Sequence, residues 1–322
     1  MALRGKILSK NPLVIISSIR HPFLLGIASK FPASFSQKKS LHLLSPAWSV
    51  LKQVDALKKE MILAKTTIPN ARFIVLANEE AELIELQAHG IFSIPANASM
   101  FVNEQDFKPK PNTPITFSAI YNAALQPYKN HYLCKGVNNL ALIYYVWAND
   151  ERTEAYGREM RELLGGAAFL NDTQGQYRRL SYSEIAFANS QSAVGLCLSS
   201  VEGTMRAAVE YLLCGTPVVS IPSFGGRQRY FNSENSIIVP PDPDSVAVAV
   251  RQLQSRQLSR EAIRSGILSI LNFERSNFLR LINHVFLKQW GLQNRFESFE
   301  EFRDTWTYRS WEQWDKYLQD IN

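Results

Sequence analysis

The fold is decided by the stretch Ser199–Ser220, which reads SSVEGTMRAAVEYLLCGTPVVS. Its order predicts the end of a strand, an acidic turn, a helix from about Thr204 to Cys214, and a second strand. Gly203 permits the tight turn before the helix, and Gly215 suits the left-handed residue that ends it. The run after Gly215 is short, apolar and β-branched, which is typical of a strand buried on both faces of a parallel sheet.

Two acids, Glu202 and Glu210, lie eight residues apart around the start of this helix. In open α/β sheets, ligands bind beyond the carboxyl ends of the strands, where the amides of the next helix hold phosphate groups. A carboxylate in the turn suits the hydroxyls of a sugar, and a second acid at most about 12 Å along the helix suits a ribose. Taken alone, however, two glutamates on a helix are more typical of a solvated face.

The segment from Glu202 to Glu210 resembles the E-x7-E motif of the retaining family 4, or group 1, glycosyltransferases of the GT-B fold. Three further segments resemble an L-x-P-x-K segment, a glycine pair after the next strand, and a strand with a proline-rich turn: Leu125–Lys129, Ser223–Arg227 and Asn235–Pro243. Together these segments span about residues 115–255 in the order of the family. Their order and spacing make the resemblance far more specific than any single motif.

The resemblance implies an α/β protein of two Rossmann-like, doubly wound domains that face each other across a cleft, with a nucleotide sugar held mainly by the second domain. It assigns Glu202 to the sugar, Lys129 to the diphosphate and Glu210 to the ribose. The other donor-binding candidates are Gly203, Thr204, Ser199, Gly225, Gly226 and Arg227.

One position departs from the family pattern. The arginine that is usually paired with the lysine is replaced by Ala124, so the contacts to phosphate must be rearranged. Arg227, directly after the glycine pair, is our candidate for the substitute cation, although its position fits a surface arginine equally well. Lys129 is expected at the start of a helix, where the helix dipole disfavours a cation unless an anion binds there.

His21 follows the first predicted strand, at the edge expected to face the donor domain. It is a candidate for contact with the acceptor or with phosphate, although a lone histidine is more often structural. Asp242-Pro243-Asp244 matches the D-x-D pattern that holds a divalent cation in GT-A enzymes, but Asp244 suits the N-cap of a helix. There is also no histidine cluster, so we expect no metal site and no cofactor.

The chain has 322 residues, which is more than one hydrophobic core normally accommodates, so we expect two domains. Three prolines between Phe107 and Pro114 suggest a linker. The predicted divisions are a first domain, a linker, a nucleotide-sugar-binding domain, and a helical tail that packs back on the first domain: 1–107, 108–114, 115–295 and 296–322.

The net charge of +6 favours anionic ligands or an anionic membrane surface. No dense basic run or RNA-binding aromatic signature is present, so nucleic acid is not expected as a partner. Three cysteines without C-x-x-C spacing indicate a reduced, cytoplasmic setting. The apolar run Leu13–Ile16 is too short for a signal sequence, and no transmembrane helix is expected.

The resemblance implies retaining transfer of a sugar from a nucleotide diphosphate sugar to a glycan or lipid-linked acceptor. The expected setting is polysaccharide biosynthesis, in the cytoplasm or at the inner face of the membrane. The alternative is a non-catalytic GT-B-like protein that binds a nucleotide or a glycan, which Ala124 supports. A nicotinamide-dependent oxidoreductase is disfavoured because no G-x-G-x-x-G follows the first strand.

Overall fold

The computed structural model describes residues 2–145, 151–173, 176–302 and 307–319. The chain divides into two compact units. The first unit contains Met1–Phe101 and Phe273–Asn322, and the second contains Val102–Asn272. Each unit has its own six-stranded sheet.

The first unit is built on a mostly parallel sheet. Its strands, numbered in chain order, are β1 (Ala2–Lys10), β2 (Leu13–Ile19), β3 (Ser40–Pro46), β4 (Ala71–Ala77), β5 (Ser93–Pro95) and β14 (Thr307–Ser310). Their order is β14-β1-β2-β3-β4-β5, and β2 to β5 run parallel. The helices of this unit are α1 (Ile27–Lys30), α2 (Val54–Thr67), α3 (Glu80–Ala88) and α9 (Trp311–Gln319). Every residue of β3 is buried, as expected for a central parallel strand.

The tail of the chain, from residue 296, belongs to the first unit. β14 pairs antiparallel with β1, so that Ala2 lies opposite Ser310. Trp314 on α9 is fully buried and donates its indole N–H to the carbonyl of Leu3 at 3.0 Å. The two ends of the chain are therefore part of one hydrophobic core, which also contains Ile7 and Leu318.

The second unit is built on a wholly parallel sheet. Its strands are β6 (Phe117–Ala124), β7 (Leu140–Tyr145), β8 (Ala168–Phe169), β11 (Ser192–Cys197), β12 (Val218–Ser220) and β13 (Ser236–Ile238), with a separate hairpin of β9 (Asp172–Thr173) and β10 (Gln176–Tyr177). Their order is β13-β12-β11-β6-β7-β8. The helices are α4 (Glu151–Leu163), α5 (Tyr182–Ser190), α6 (Arg206–Leu213), α7 (Pro243–Ser255) and α8 (Arg260–Trp290), of which α8 continues into the first unit.

The strand order of the second sheet reverses between β6 and β11. The chain proceeds from β6 through β7 to β8 on one side, then continues from β11 to β13 on the other. Such a switch point leaves a crevice beyond the carboxyl ends of the two central strands. The segments that follow these two ends are Leu125–Lys129 and Leu198–Glu202.

The domain boundaries differ from those predicted. The second unit ends at Asn272 rather than at residue 295, and it begins at Val102, before the predicted linker. The reason is aromatic packing between the second half of α8 and the tail, both of which belong to the first unit. Two pairs of rings make this contact: Phe278 with Phe302, 5.0 Å between centroids, and Phe286 with Phe296, 5.1 Å.

Two local signals in the sequence, one at the start of a helix and one at the end of another, are confirmed. Ser181 and Glu184, whose spacing in the sequence is typical of a capping box, form one at the start of α5, and Gly215 has the expected positive φ of 71° after α6. The helix expected to start at Lys129 is absent, so that prediction is wrong. Only short 3-10 turns occur there, because Asn130 has a left-handed φ of 53° that interrupts any helix. The N-cap of α7 is Asp242, not Asp244.

Candidate functional site

Two loops lie side by side at the carboxyl edge of the second sheet. The acidic loop (Ser199–Met205) joins β11 to α6, and the glycine loop (Pro222–Gly226) follows β12. Glu202 N–H donates to the carbonyl of Phe224 at 3.1 Å, and Phe224 N–H donates to the carbonyl of Ser200 at 3.0 Å. These two bonds hold the loops together as a short parallel pair.

Gly225 is required for this close approach. Its φ is +109°, and a Cβ atom placed on it would lie 2.3 Å from the carbonyl oxygen of Glu202. Any side chain would therefore push the two loops apart. Gly225, one of the glycine pair predicted to approach a ligand, thus approaches the backbone of Glu202 in this structure.

The turn that carries Lys129 is tied to the same edge. Asn130 donates its side-chain amide to the carbonyl of Leu198 at 2.9 Å, which links the turn to the end of β11. Tyr121 on β6 donates its hydroxyl to the carbonyl of Lys129 at 2.6 Å. Neither bond uses the ammonium group of Lys129, which is left to face the acidic loop.

Lys129 and Glu202 form a buried ion pair, with relative exposures of 4% and 6%. The ammonium Nζ donates to Oε1 of Glu202, and the hydroxyl of Ser199 donates to the same oxygen at 2.6 Å. Within the described residues, Oε2 of Glu202 accepts no hydrogen bond. An ammonium carries three N–H donors, and that of Lys129 makes one hydrogen bond to a described residue. Two N–H donors of Lys129 and the oxygen Oε2 of Glu202 thus remain available.

Two neighbouring titratable groups stay neutral. Burial raises the pKa of Tyr128, and the charge of Glu202 raises it further. Burial lowers the pKa of His131 to about 3, and the charge of Lys129 lowers it further. The ring of Tyr128 also lies 5.2 Å from Nζ of Lys129. Lys129 and Glu202 therefore face each other beside these two uncharged side chains, in a buried place where electrostatic interactions are stronger than in water.

Arg227 lies beneath the acidic loop and is almost completely buried, at 1% exposure. Its five N–H groups donate to five protein acceptors: Ser220 Oγ at 3.2 Å, Ser199 Oγ at 3.0 Å, Met205 Sδ at 3.5 Å, and the carbonyls of Cys197 at 2.7 Å and Ile221 at 3.1 Å. A guanidinium has only five N–H donors. As placed, Arg227 has none left for a phosphate, which argues against its predicted role as the substitute cation.

The remaining donor-binding candidates of the second unit lie around α6. Glu210 is buried on this helix, at 8% exposure. Gly203 and Thr204 precede the helix, which begins at Arg206, two residues later than predicted, and has no side-chain cap. No described residue accepts a hydrogen bond from the amide of Gly203 or of Thr204. Gly226 has a φ of 77° and leads into the turn that places Arg227.

His21 belongs to the first unit, unlike Glu202 and Lys129. It lies two residues beyond the end of β2 and is exposed. Nothing in the first unit joins it to a cluster of other polar groups among the described residues.

Sequence reasoning did not single out Arg206, the first residue of α6. Its side chain is half-buried, and its Nε is buried without a hydrogen-bond partner among the described residues. The only signal in the sequence is its place midway between Glu202 and Glu210, which by itself is compatible with a solvated side chain.

Residues 157–267 match the family model described as "Glycosyl transferases group 1". No curated protein matches the chain. Sucrose-phosphate synthase from Thermosynechococcus elongatus is a structural neighbour with 17% identity, covering 78% of this chain and 69% of that one, at a TM-score of 0.58. An Escherichia coli structure titled "Trehalose-6-phosphate from E. coli bound with UDP-2-fluoro glucose" has 12% identity, coverages of 86% and 73%, and a TM-score of 0.60.

A third neighbour is an α,α-trehalose-phosphate synthase (UDP-forming) from Burkholderia xenovorans in complex with glucose-6-phosphate, with 12% identity, coverages of 82% and 72%, and a TM-score of 0.57. These likenesses establish the fold. The chain is a GT-B protein with two α/β domains on parallel sheets, as predicted. The family match covers both Glu202 and Glu210, so this part of the second unit is a group 1 glycosyltransferase domain. The predicted enzyme class, glycosyltransferase, is confirmed.

None of the helices in the described ranges combines the length and the apolar composition needed to cross a bilayer.

Proposed function

We propose that the chain is a retaining glycosyltransferase that moves a sugar from a nucleotide diphosphate sugar to a hydroxyl of a glycan or lipid-linked acceptor. The observation that carries this proposal is that Lys129 and Glu202 pair at the switch point of the second sheet while each keeps unused hydrogen-bonding groups. Such a donor presents a diphosphate, which needs N–H donors, beside sugar hydroxyls, which need acceptors. Lys129 retains unused N–H donors for the diphosphate, and Glu202 retains an unused acceptor oxygen for the sugar.

The other contacts follow from the order of groups in such a donor. Lys129 binds the diphosphate together with the amides of Gly203 and Thr204, which suit an anion because they precede an uncapped helix. Oε2 of Glu202 accepts from the sugar, and Glu210 accepts from the ribose. Arg206 supplies the second positive charge, which the family pattern would otherwise place at Ala124.

The reaction needs no nucleophile from the protein. The bond from C1 of the sugar to the diphosphate oxygen breaks, and the acceptor oxygen bonds to C1 on the same face. The proton of the acceptor hydroxyl passes to the departing diphosphate, so the products are a glycoside and a nucleoside diphosphate. Lys129 lowers the barrier because it stabilises the negative charge that develops on the leaving group.

Uridine diphosphate sugars are the first donors to test, because structural neighbours are described as UDP-forming or as bound to a UDP sugar. A place in polysaccharide biosynthesis, in the cytoplasm or at the inner face of the membrane, completes the proposal. The cysteines support it, since Cys134, Cys197 and Cys214 are all buried and unpaired. The net charge of +6 supports contact with an anionic lipid surface.

The test is release of nucleoside diphosphate from a panel of donors, with Lys129→Met as the site variant. Loss of the ammonium should lower kcat/KM at least about 100-fold, which corresponds to about 2.7 kcal/mol. Lys135→Met is the matched control, because Lys135 lies six residues further along and is exposed. Its kcat/KM should equal that of the wild type. Equal rates for the two variants, or no release from any donor, would contradict the proposal.

Calorimetry supplies a second measurement that does not depend on the acceptor. Glu210→Ala should weaken binding of the nucleoside diphosphate about tenfold or more, because a charged acceptor for the ribose is lost. Unchanged affinity would refute the role of Glu210.

A further inference from the structure

The buried guanidinium of Arg227 meets the acidic loop at the hydroxyl of Ser199. That hydroxyl lies 3.0 Å from Nη1 of Arg227 and 2.6 Å from Oε1 of Glu202. A serine hydroxyl has one proton to donate, and a carboxylate can only accept. The proton of Ser199 therefore points to Glu202, and the hydroxyl accepts from Arg227. The three groups form a chain with one possible direction.

Most of the remaining hydrogen bonds of Arg227 anchor it to the edge of the sheet. Nη2 donates to the carbonyls of Cys197 and Ile221, which are on or adjacent to the ends of β11 and β12. Nε donates to the hydroxyl of Ser220 at the end of β12. The guanidinium is thus fixed to the edge of the sheet, and Ser199 is its only described contact that leads to Glu202.

We propose that Arg227 is a positioning residue, which acts through Ser199 to hold Glu202 for the sugar of the donor. This inference rests on the proposed function. The positive guanidinium polarises the hydroxyl of Ser199 and strengthens its bond to Oε1. With Oε1 held by Ser199 and Lys129, the carboxylate presents Oε2 in one orientation. Arg227 thereby serves the sugar rather than the diphosphate.

The glycine loop places Arg227 in this arrangement. Arg227 is the first residue of the turn Arg227–Tyr230, directly after Gly225 and Gly226, whose φ angles are 109° and 77°. These left-handed residues turn the chain back beneath the sheet edge so that the arginine enters the protein. A side chain at Gly225 would collide with Glu202, so the same loop also sets the backbone of the acid.

Kinetics distinguish a relay through Ser199 from direct contact with phosphate. Ser199→Ala should lower kcat/KM for the donor about tenfold, and Ser199→Thr, which keeps the hydroxyl, should restore most of it. Arg227→Lys should also lower kcat/KM about tenfold in the wild type. In the Ser199→Ala background it should lower kcat/KM less than about twofold, because the hydroxyl that connects Arg227 to Glu202 is already absent. Nucleoside diphosphate affinity, measured by calorimetry, should stay unchanged in all three variants.

A second experiment does not depend on activity. The thermal midpoints of Arg227→Lys, Glu202→Gln and the double variant give the coupling between positions 227 and 202. We expect a departure from additivity of about 3 °C with Ser199 present and none in the Ser199→Ala background. Coupling that persists without the hydroxyl would overturn the relay, as would Ser199→Ala with wild-type kcat/KM or an Arg227→Lys that loses nucleotide affinity.

The two proposals fail in different ways. If the wild type releases no nucleoside diphosphate from any donor and binds none, the proposed function fails, while the unfolding cycle still decides whether Arg227 acts on Glu202. If the wild type is active and Ser199→Ala equals it, the relay alone fails. Should Arg227→Lys not fold, the comparison of Ser199→Ala with Ser199→Thr decides.

Discussion

Glu82 in the first unit and Glu202 in the second are both buried carboxylates near the carboxyl edge of a parallel sheet. Glu82 uses both of its oxygens on backbone, because Oε1 accepts from the amide of Val50 at 3.0 Å and Oε2 accepts from that of Asn78 at 2.9 Å. Glu202 uses one oxygen and keeps the other. Burial therefore does not distinguish the two acids, whereas the unused acceptor of Glu202 beside a charged partner does.

The surroundings of the two acids reinforce this difference. Asn78 donates to the carbonyl of Pro46 at 3.2 Å, and Asn97 donates to the carbonyl of Asn78 at 2.9 Å, so polar groups at this edge of the first sheet satisfy one another. Burial raises the pKa of Glu82, and the two amides oppose that shift. No buried cation pairs with Glu82 among the described residues, whereas Glu202 faces Lys129.

The largest expected effect is the difference in kcat/KM between variants of the two acids. Glu202→Gln should lower kcat/KM for the donor at least about 100-fold, because the variant loses a charged acceptor for the sugar. Glu82→Gln should leave kcat/KM unchanged but lower the free energy of unfolding by about 2 kcal/mol, since its amide group must meet a backbone N–H. Steady-state kinetics and chemical unfolding of both variants check this. Equal losses of activity would remove the distinction.

Gly225→Ala should disturb the candidate site by displacing the backbone of its two loops. We expect a loss of about 2 kcal/mol in stability and about tenfold in kcat/KM, because the φ of +109° and the clash with Glu202 force the two loops apart. Gly90→Ala in the first unit is the control, since its φ is +71° but no atom lies within 4 Å. It should cost about 1 kcal/mol and leave turnover intact. A Gly225→Ala variant with wild-type kinetics would contradict the close coupling of the two loops.

Acid should destabilise both units, because each contains a buried neutral histidine. Burial lowers the pKa of His42 to about 3, below its ordinary value of 6.5. The unfolded chain therefore binds the extra proton first, and stability falls as the pH drops from about 6.5 towards 3. At pH 5 the loss should be about 2 kcal/mol for each histidine.

The free energy of unfolding at pH 5.0 and at pH 7.5 gives the slope of stability against pH. His42→Leu should remove about half of the wild-type loss, because His131 in the second unit has a pKa lowered in the same direction. His284→Gln is the control, since His284 is exposed, and it should keep the full slope. A slope unaffected by His42→Leu would show that other groups govern the acid response.

The smallest effect is expected far from either acid. Ser181→Ala removes the capping box of α5 and should cost about 1 kcal/mol without changing kcat/KM. Hydrogen bonds from the backbone N–H of Ser181, from Arg178 and from the hydroxyl of Ser181 lower the pKa of Glu184 to about 2, so that pKa should rise in part when the hydroxyl is lost. Ser183→Ala, on the same helix and exposed, should be neutral in both respects. Thermal unfolding and NMR titration provide the measurements.

The elements that the sequence predicted well are those determined over a few residues. The capping box at Ser181, the stop at Gly215 and the buried strand after it all depend on neighbours in the chain. The failed helix after Lys129 is instructive, because its residues do not exclude a helix. Asn130 instead donates to the carbonyl of Leu198, a contact between distant segments that outweighs local preference.

The antiparallel edge of the first sheet was also beyond sequence reasoning. β1 becomes a strand beside β2, and its other side is completed by β14 from the opposite end of the chain. The pairing of Ala2 with Ser310 leaves no periodic signal that identifies the partner. Likewise, the sequence predicted a tail that packs on the first domain, but not that the second half of α8 belongs to the same unit as this tail.

By itself, the sequence determined the GT-B fold, the glycosyltransferase class and the acidic loop, because glycine, strand and helix patterns are local and recur in a fixed order. Only the tertiary structure decided how the charges are used. Arg227 follows a glycine pair in the sequence and so suggested a phosphate ligand, yet all of its donors are taken by the sheet edge and the acidic loop. The physical reason is that a charged group's role depends on which of its hydrogen bonds remain unmade, and partners far apart in the chain determine that.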